Sequence, residues 1–264
     1  MGIAAETAPA IADDWNAALA ALAWQVEAGA DEIIADAPIN RYELPAEPPR
    51  PAARPADPPA LAPGTDPVVA AQAAVQAAAT LEDLRHALTA FDHCELKKGA
   101  RNTVFADGNP AARVLILGEA PGADEDREGR PFVGRAGQLL DRMFAAVGLS
   151  RTSADPLTAL YITNVLPWRP PGNRDPEPAE IAMMRPFVER HIALVDPSVI
   201  VVMGNTSLMA LTGGKGILRA RGIWTEALGK PLLPMTHPAY LLRTPSAKRE
   251  AWADLLALQA RLKA

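Results

Sequence analysis

Three residues with chemically able side chains stand at the ends of short apolar runs. Glu119 follows Val114-Leu115-Ile116-Leu117 and Gly118, Asn164 follows Leu160–Thr163, and His237 comes just after Leu232–Met235. A carboxylate can hold or take a proton, an amide offers one acceptor and two donors, and an imidazole changes protonation near neutral pH. The surroundings of the first are crowded. The stretch GEAPGADEDREGRPFVG carries an acidic patch, Asp124-Glu125-Asp126, and an aromatic turn, Arg130-Pro131-Phe132-Val133-Gly134. It is neither G-x-G-x-x-G nor G-x-x-x-x-G-K-[ST], so dinucleotide and P-loop readings lose most of their weight. Two readings remain: a common strand–loop–helix turn with no ligand, or a functional pocket in which charge gathers for a reason.

The elements that must position these residues follow from periodicity. Four apolar runs, Val114–Leu117, Leu160–Thr163, Ser198–Met203 and Leu232–Met235, read as strands buried on both faces. Helices are expected between them. One runs from about Ala136 with Leu139, Leu140, Met143, Phe144 and Val147 at helical spacing, and others cover Pro178 to about Leu194 and Thr206–Leu211. A last helix, Ala247–Leu262, is expected to turn Trp252, Leu255 and Leu256 inward. Two more, Ala70–Ala79 and Leu81–Ala90, precede the first strand, with Thr80 as N-cap. Strands alternating with helices imply an α/β fold, a three-layer α/β/α sandwich on a central four-stranded parallel sheet. In such sheets ligands bind beyond the carboxyl ends of the strands, where Glu119, Asn164 and His237 would share one edge.

The N-terminal quarter is different material. Residues from Ala10 to about Ala35 read as an amphipathic helix, with Trp15, Leu19, Leu22 and Val26 on one stripe. Pro38 to Pro67 then holds ten prolines. That composition favours extended polyproline conformations and makes a linker or strap, not a core. The expected organisation is a helical extension over 1–37, the proline-rich segment over 38–67, and one catalytic domain over 68–264.

Composition narrows the classes. A formal net charge of −5 and a pI near 5.5 do not announce a nucleic-acid binder, although affinity depends on local basic surface and not on the total. A single cysteine, Cys94, excludes an intramolecular disulfide and an all-cysteine metal site. With no run of 18 apolar residues and no signal-peptide start, the expectation is a cytoplasmic protein with no membrane partner.

The stretch GEAPGADEDREGRPFVGRAGQLLDRM resembles the first motif of family-4 uracil-DNA glycosylases. TVFADGNPAARV before it, and YITNVLPWRPPGNRDP and THPAYLLRTPSAKREAW after it, fit the same family in the same order, from about Leu81 to Leu258. The resemblance implies an enzyme that excises uracil from DNA as the first step of base-excision repair, with uracil-containing DNA as partner and the protein as a monomer. It assigns Glu119 and His237 to catalysis, the glutamate to the water or the sugar cation and the histidine to uracil O2. It assigns Phe132 to stacking on the base, Asn164 to its polar edge, and Glu125 to the space beside C5, where thymine carries a methyl group. Ala120 stands where family-1 enzymes have an aspartate. Arg169, Arg174, Arg243 and Lys248 become the basic rim for phosphates, and Tyr240, Leu241 or Leu242 the wedge into the duplex.

The family usually holds a 4Fe–4S cluster on four cysteines. This sequence keeps only Cys94, with Phe91, Trp168 and Met184 at the other positions, so an apolar plug is expected and no metal or other cofactor. One related subgroup cross-links to DNA through a histidine in an inserted loop. PWRPPGNRDP has no histidine, so turnover is expected. The rivals are a glycosylase for another deaminated base such as hypoxanthine, a non-catalytic DNA-binding relative, and an unrelated nucleotide-binding α/β protein.

Overall fold

The computed structural model describes residues 18–21, 23 and 66–263. Residues 18–21 and 23 are helical, within the expected N-terminal helix. The rest of that helix, and the proline-rich segment up to residue 65, lie outside the described residues.

From residue 66 the chain begins with α1 (Pro67–Gln76), α2 (Leu81–Ala90), α3 (Leu96–Gly99), β1 (Ala106–Gly108) and β2 (Val114–Gly118). It continues through α4 (Ala123–Glu128), α5 (Arg135–Ala145), β3 (Leu160–Asn164) and α6 (Pro178–Val195). Then come β4 (Val199–Met203), α7 (Asn205–Thr212), α8 (Ile217–Ala220), β5 (Thr225–Ala227) and β6 (Lys230–Met235). Two last helices, α9 (Pro238–Arg243) and α10 (Lys248–Lys263), complete it. The sheet order is β1-β3-β2-β4-β6-β5. Its four inner strands are parallel, as expected, and β1 and β5 add antiparallel edges. Those edges are short and carry Ala-Asp-Gly and Thr-Glu-Ala, too little apolar pattern to be read as strands.

Every residue of β2, β3 and β4 is buried, which is why they appear as unbroken apolar runs. Their side chains alternate between two cores. Leu115, Leu117, Tyr161, Ile200 and Val202 pack with Leu84, Leu88, Phe187 and Leu208 on one face. Val114, Ile116, Ile162, Val201 and Met203 pack with Leu140, Phe144, Leu255 and Leu258 on the other. The result is three layers, with about 1.5–3 kcal/mol of transfer free energy favouring each large apolar side chain fully buried.

The expected cap is present. Thr80 Oγ1 accepts the Asp83 N–H, and the Asp83 carboxylate accepts the Thr80 N–H in return. The acidic patch, given no element from sequence, forms the helix α4, closed by Gly129 in the left-handed region. One expectation fails. Along α10 the inward stripe is Ala251, Leu255 and Leu258, whereas Trp252 is 45 % and Leu256 43 % exposed. Asp254, on the inner side, is held by Arg221, and this fixes the rotation of the helix.

The register places the site. Gly118 at the end of β2 pairs with Asn164 at the end of β3, and Met203 of β4 pairs with Met235 of β6. Glu119, Asn164 and His237 therefore leave the sheet at the same edge.

Candidate active site

A pocket of about 840 Å³ opens over this edge, and Glu119, Ala120, Glu125, Phe132, Asn164 and His237 all line it. Arg174, Tyr240 and Arg243 reach its walls as well. The geometry thus gathers nine of the sequence-predicted residues around one pocket, while Arg169, Leu241 and Lys248 do not line it.

Asn164 is 8 % exposed, and its Oδ1 has no hydrogen-bond partner. Leaving a buried polar atom unpaired costs roughly 1–3 kcal/mol. Such an atom at the wall of a pocket marks a place where a ligand supplies the missing donor. Gly118 makes the arrangement possible. A Cβ there would overlap both Asn164 Oδ1 and the Phe132 ring, so only glycine lets the amide and the aromatic ring meet over the strand end.

Phe132 adopts φ = 53°, a left-handed conformation that costs a bulky residue roughly 1–3 kcal/mol. Its ring is 6 % exposed and stacks against His237, with centroids 5.4 Å apart. The following backbone is held by Glu125. One carboxylate oxygen accepts the N–H groups of Val133 and Gly134 at 3.0 and 2.9 Å, and the other accepts that of Gly122 at 3.1 Å. Glu125 is not free: it holds the start of α4 against the aromatic turn.

His237 caps α9: its Nδ1 accepts the Ala239 N–H at 3.2 Å. Burial, with the charge of Arg243 adding to it, pushes the imidazole pKa down to about 4. The ring is therefore neutral at physiological pH, with its one proton on Nε2. Glu119 accepts a hydrogen bond of 2.6 Å from Thr206 Oγ1, at the first turn of α7. Burial pushes the Glu119 carboxyl above the usual carboxylate range and Asp175 adds to it, against the opposing Thr206 bond. Sequence reasoning missed Thr206 and underrated Gly118. Thr206 lies in no motif and Gly118 only opens one, and their roles lie in what they meet across the sheet edge.

Two of the four basic residues expected at the rim have partners within the protein. Arg174 is engaged by Glu180 through two hydrogen bonds of 3.0 and 2.6 Å, and Arg169 donates to Asn173. Arg243 and Lys248 are exposed. Leu241 is corrected outright: it is fully buried against Leu139 and Ala251, an anchor for α9 and not a wedge. Tyr240 and Leu242, half-buried on the same short helix, keep that possibility.

Phe91, Cys94, Trp168 and Met184 are all buried in one apolar cluster, and the Trp168 indole donates to Thr103 Oγ1 at 3.1 Å. One thiol beside two aromatic rings and a thioether does not supply the four thiolates that an iron–sulfur cluster needs. Among the described residues no group of three His, Cys, Asp or Glu is placed to hold a metal, and no helix is long and apolar enough to cross a membrane.

Residues 105–256 match the family model of the uracil DNA glycosylase superfamily, and the chain belongs to that superfamily. Its relatives make the placement finer. It is 41% identical over 156 residues to a type-4 uracil-DNA glycosylase of Thermotoga maritima, covering 58% of this chain and 78% of the relative. It is 36% identical over 184 residues to the type-4 enzyme of Archaeoglobus fulgidus, covering 66% and 89%. A type-5 uracil-DNA glycosylase of Thermus thermophilus is 34% identical over 134 residues, covering 47% and 61%.

Proposed function

We propose that the protein is a monofunctional uracil-DNA glycosylase, hydrolysing the N-glycosidic bond between uracil and deoxyribose and leaving an abasic site for base-excision repair. The observation that carries this reading is the buried, unpartnered Asn164 amide beside the Phe132 ring. A base inside duplex DNA must leave the stack to be reached. Flipped into the pocket, uracil stacks on Phe132, with N3–H donating to Asn164 Oδ1 and O4 accepting from Nδ2. Cytosine presents the opposite pattern at those two atoms and is rejected. Glu125 stands at the C5 side. Its three backbone hydrogen bonds keep the carboxylate from retreating before the methyl group of thymine.

As the C1′–N1 bond breaks, its electron pair leaves with the base and positive charge builds on the sugar. The neutral His237 donates Nε2–H to O2, where the base becomes anionic. Glu119, in its ionised form, faces the cation and takes the proton of the water that adds to C1′. Its raised pKa suits a base more than an ordinary carboxylate would. Ala120 contributes only backbone and a methyl group to the wall. Arg243 and Lys248 hold the phosphates, with Arg169 beside them, and Arg174 organises the loop through Glu180. Tyr240 fills the gap in the duplex. We read the protein as acting as a monomer, and a free buried cysteine fits a reducing cytoplasm.

The deciding experiment is release of free base from oligonucleotides containing uracil, hypoxanthine or thymine. Uracil release with little from the other two is expected. Faster release of hypoxanthine would replace the substrate, and binding without any release would make the protein a non-catalytic relative.

A further inference from the structure

Phe132 holds a backbone conformation that an aromatic residue does not choose, so something must impose it. Glu125 accounts for the two N–H groups that follow, Val133 and Gly134. The carbonyls before them are taken by a residue outside every motif. Arg151 lies in the turn between α5 and β3, and its side chain is only 9% exposed. Its Nη1 donates to the Pro131 carbonyl at 2.8 Å and its Nη2 to the Phe132 carbonyl at 2.9 Å. The guanidinium is held in turn from two other elements. Nε donates to Asp141 of α5 at 2.8 Å, and Nη1 to Asp107 of β1 at 3.1 Å. Four donations leave this planar fork, one more than a lysine ammonium has hydrogens to give.

We propose that Arg151 is a positioning residue: with Glu125 it forms a two-sided clamp, a cation on consecutive carbonyls and an anion on consecutive amides, that fixes the Phe132 ring as the platform for the flipped base. Gly137 completes the grip, since a Cβ there would overlap the Phe132 carbonyl and force the turn away from α5. The clamp gives the short edge strand β1 a purpose beyond closing the sheet, because Asp107 ties the platform to the sheet through Arg151. The inference rests on the reading of Phe132 as the stacking residue. It adds that excision depends on a group that touches neither base nor sugar.

A double-mutant cycle tests it, with single-turnover uracil release from a defined oligonucleotide and thermal stability measured for the wild type, Arg151→Lys, Phe132→Ala and the double variant. Loss of the clamp in the wild-type background should slow excision by roughly 10- to 100-fold, the scale of a misplaced positioning contact. In the Phe132→Ala background, where no platform remains to misplace, the same change should cost under about twofold, while melting temperature falls alike in both. Equal fold-losses in the two backgrounds would reduce Arg151 to a general fold stabiliser and overturn the proposal, as would an undiminished rate in Arg151→Lys when Phe132→Ala is slow. Should Arg151→Lys fail to fold, Asp141→Asn loosens the same guanidinium from an exposed carboxylate and supplies the cycle under the same criteria. A wild-type protein that releases no uracil would instead sink the proposed function, a result distinct from either.

Discussion

Asn164 and Trp168 are close in the chain and both buried, yet the protein treats their polar atoms in opposite ways. The Trp168 indole N–H is paired with Thr103, inside an apolar cluster that also buries Phe91, Cys94 and Met184. The Asn164 Oδ1 is left unpaired, beside a phenylalanine in a strained conformation and a carboxyl pushed up by burial. The first region has satisfied its polar groups and packed the rest. The second keeps unsatisfied groups fixed in place by a glycine, a clamp and a threonine. Preorganised donors and acceptors act at the moment of reaction without having to reorganise, and stability is spent elsewhere to keep them so.

Damage to the two regions should be read on different scales. Met184→Ala, in the packed region, is expected to lower unfolding free energy by about 2–5 kcal/mol while the molecules that remain folded excise uracil near the wild-type rate. Urea unfolding with parallel activity measurements checks this, and a rate defect larger than the folded fraction explains would blur the comparison. His237→Ala, in the open region, is expected to slow single-turnover excision by about 10²–10³ with little change in DNA affinity, since it removes a donor to a growing charge. Near-normal rates would return the histidine to capping α9. Gly118→Ala should cost roughly 10² in rate, because the added methyl displaces both the amide and the ring by a fraction of their contact distance. A crystal structure of that variant with Phe132 and Asn164 unmoved would remove the reason given for the glycine.

Smaller effects sharpen the electrostatics. The folded-state pKa of Glu119 is raised, so its reactive ionised form is lost as pH falls through a value above the ordinary carboxylate range. The Thr206 hydrogen bond opposes that rise, so Thr206→Val should move the acid limb of the pH–rate profile further up, and Thr206→Ser should restore it. An unmoved limb would separate Glu119 from the rate-limiting ionisation. Smallest of all, Arg243→Ala should weaken DNA binding uniformly across sequences and reduce the slope of log affinity against log salt by about one. A salt slope unchanged from wild type would place the phosphate contacts elsewhere on the surface.

The layers of this fold were legible because parallel strands buried on both faces leave uninterrupted apolar runs, and β2, β3 and β4 are such runs. The candidate site was legible because chemically able residues at the ends of those runs must meet at one sheet edge, and Glu119, Asn164 and His237 do. The edge strands were not, since three residues with a polar member carry no period.

Sequence alone determined which side chains are offered to the pocket: those at the strand ends and in the aromatic turn. Only the tertiary structure decided what each does there. Leu241 is buried because Leu139 and Ala251 cover that side of a short helix, a choice no local pattern of Tyr240-Leu241-Leu242 contains. The proton of His237 is on Nε2 because an amide two residues on claims Nδ1. Glu119 is oriented by Thr206 and Phe132 by Arg151, partners distant in the chain. Periodicity reports whether a residue is buried, because burial repeats with the element. Orientation, tautomer and strain depend on single contacts across elements, and these exist only once the sheet has brought them together.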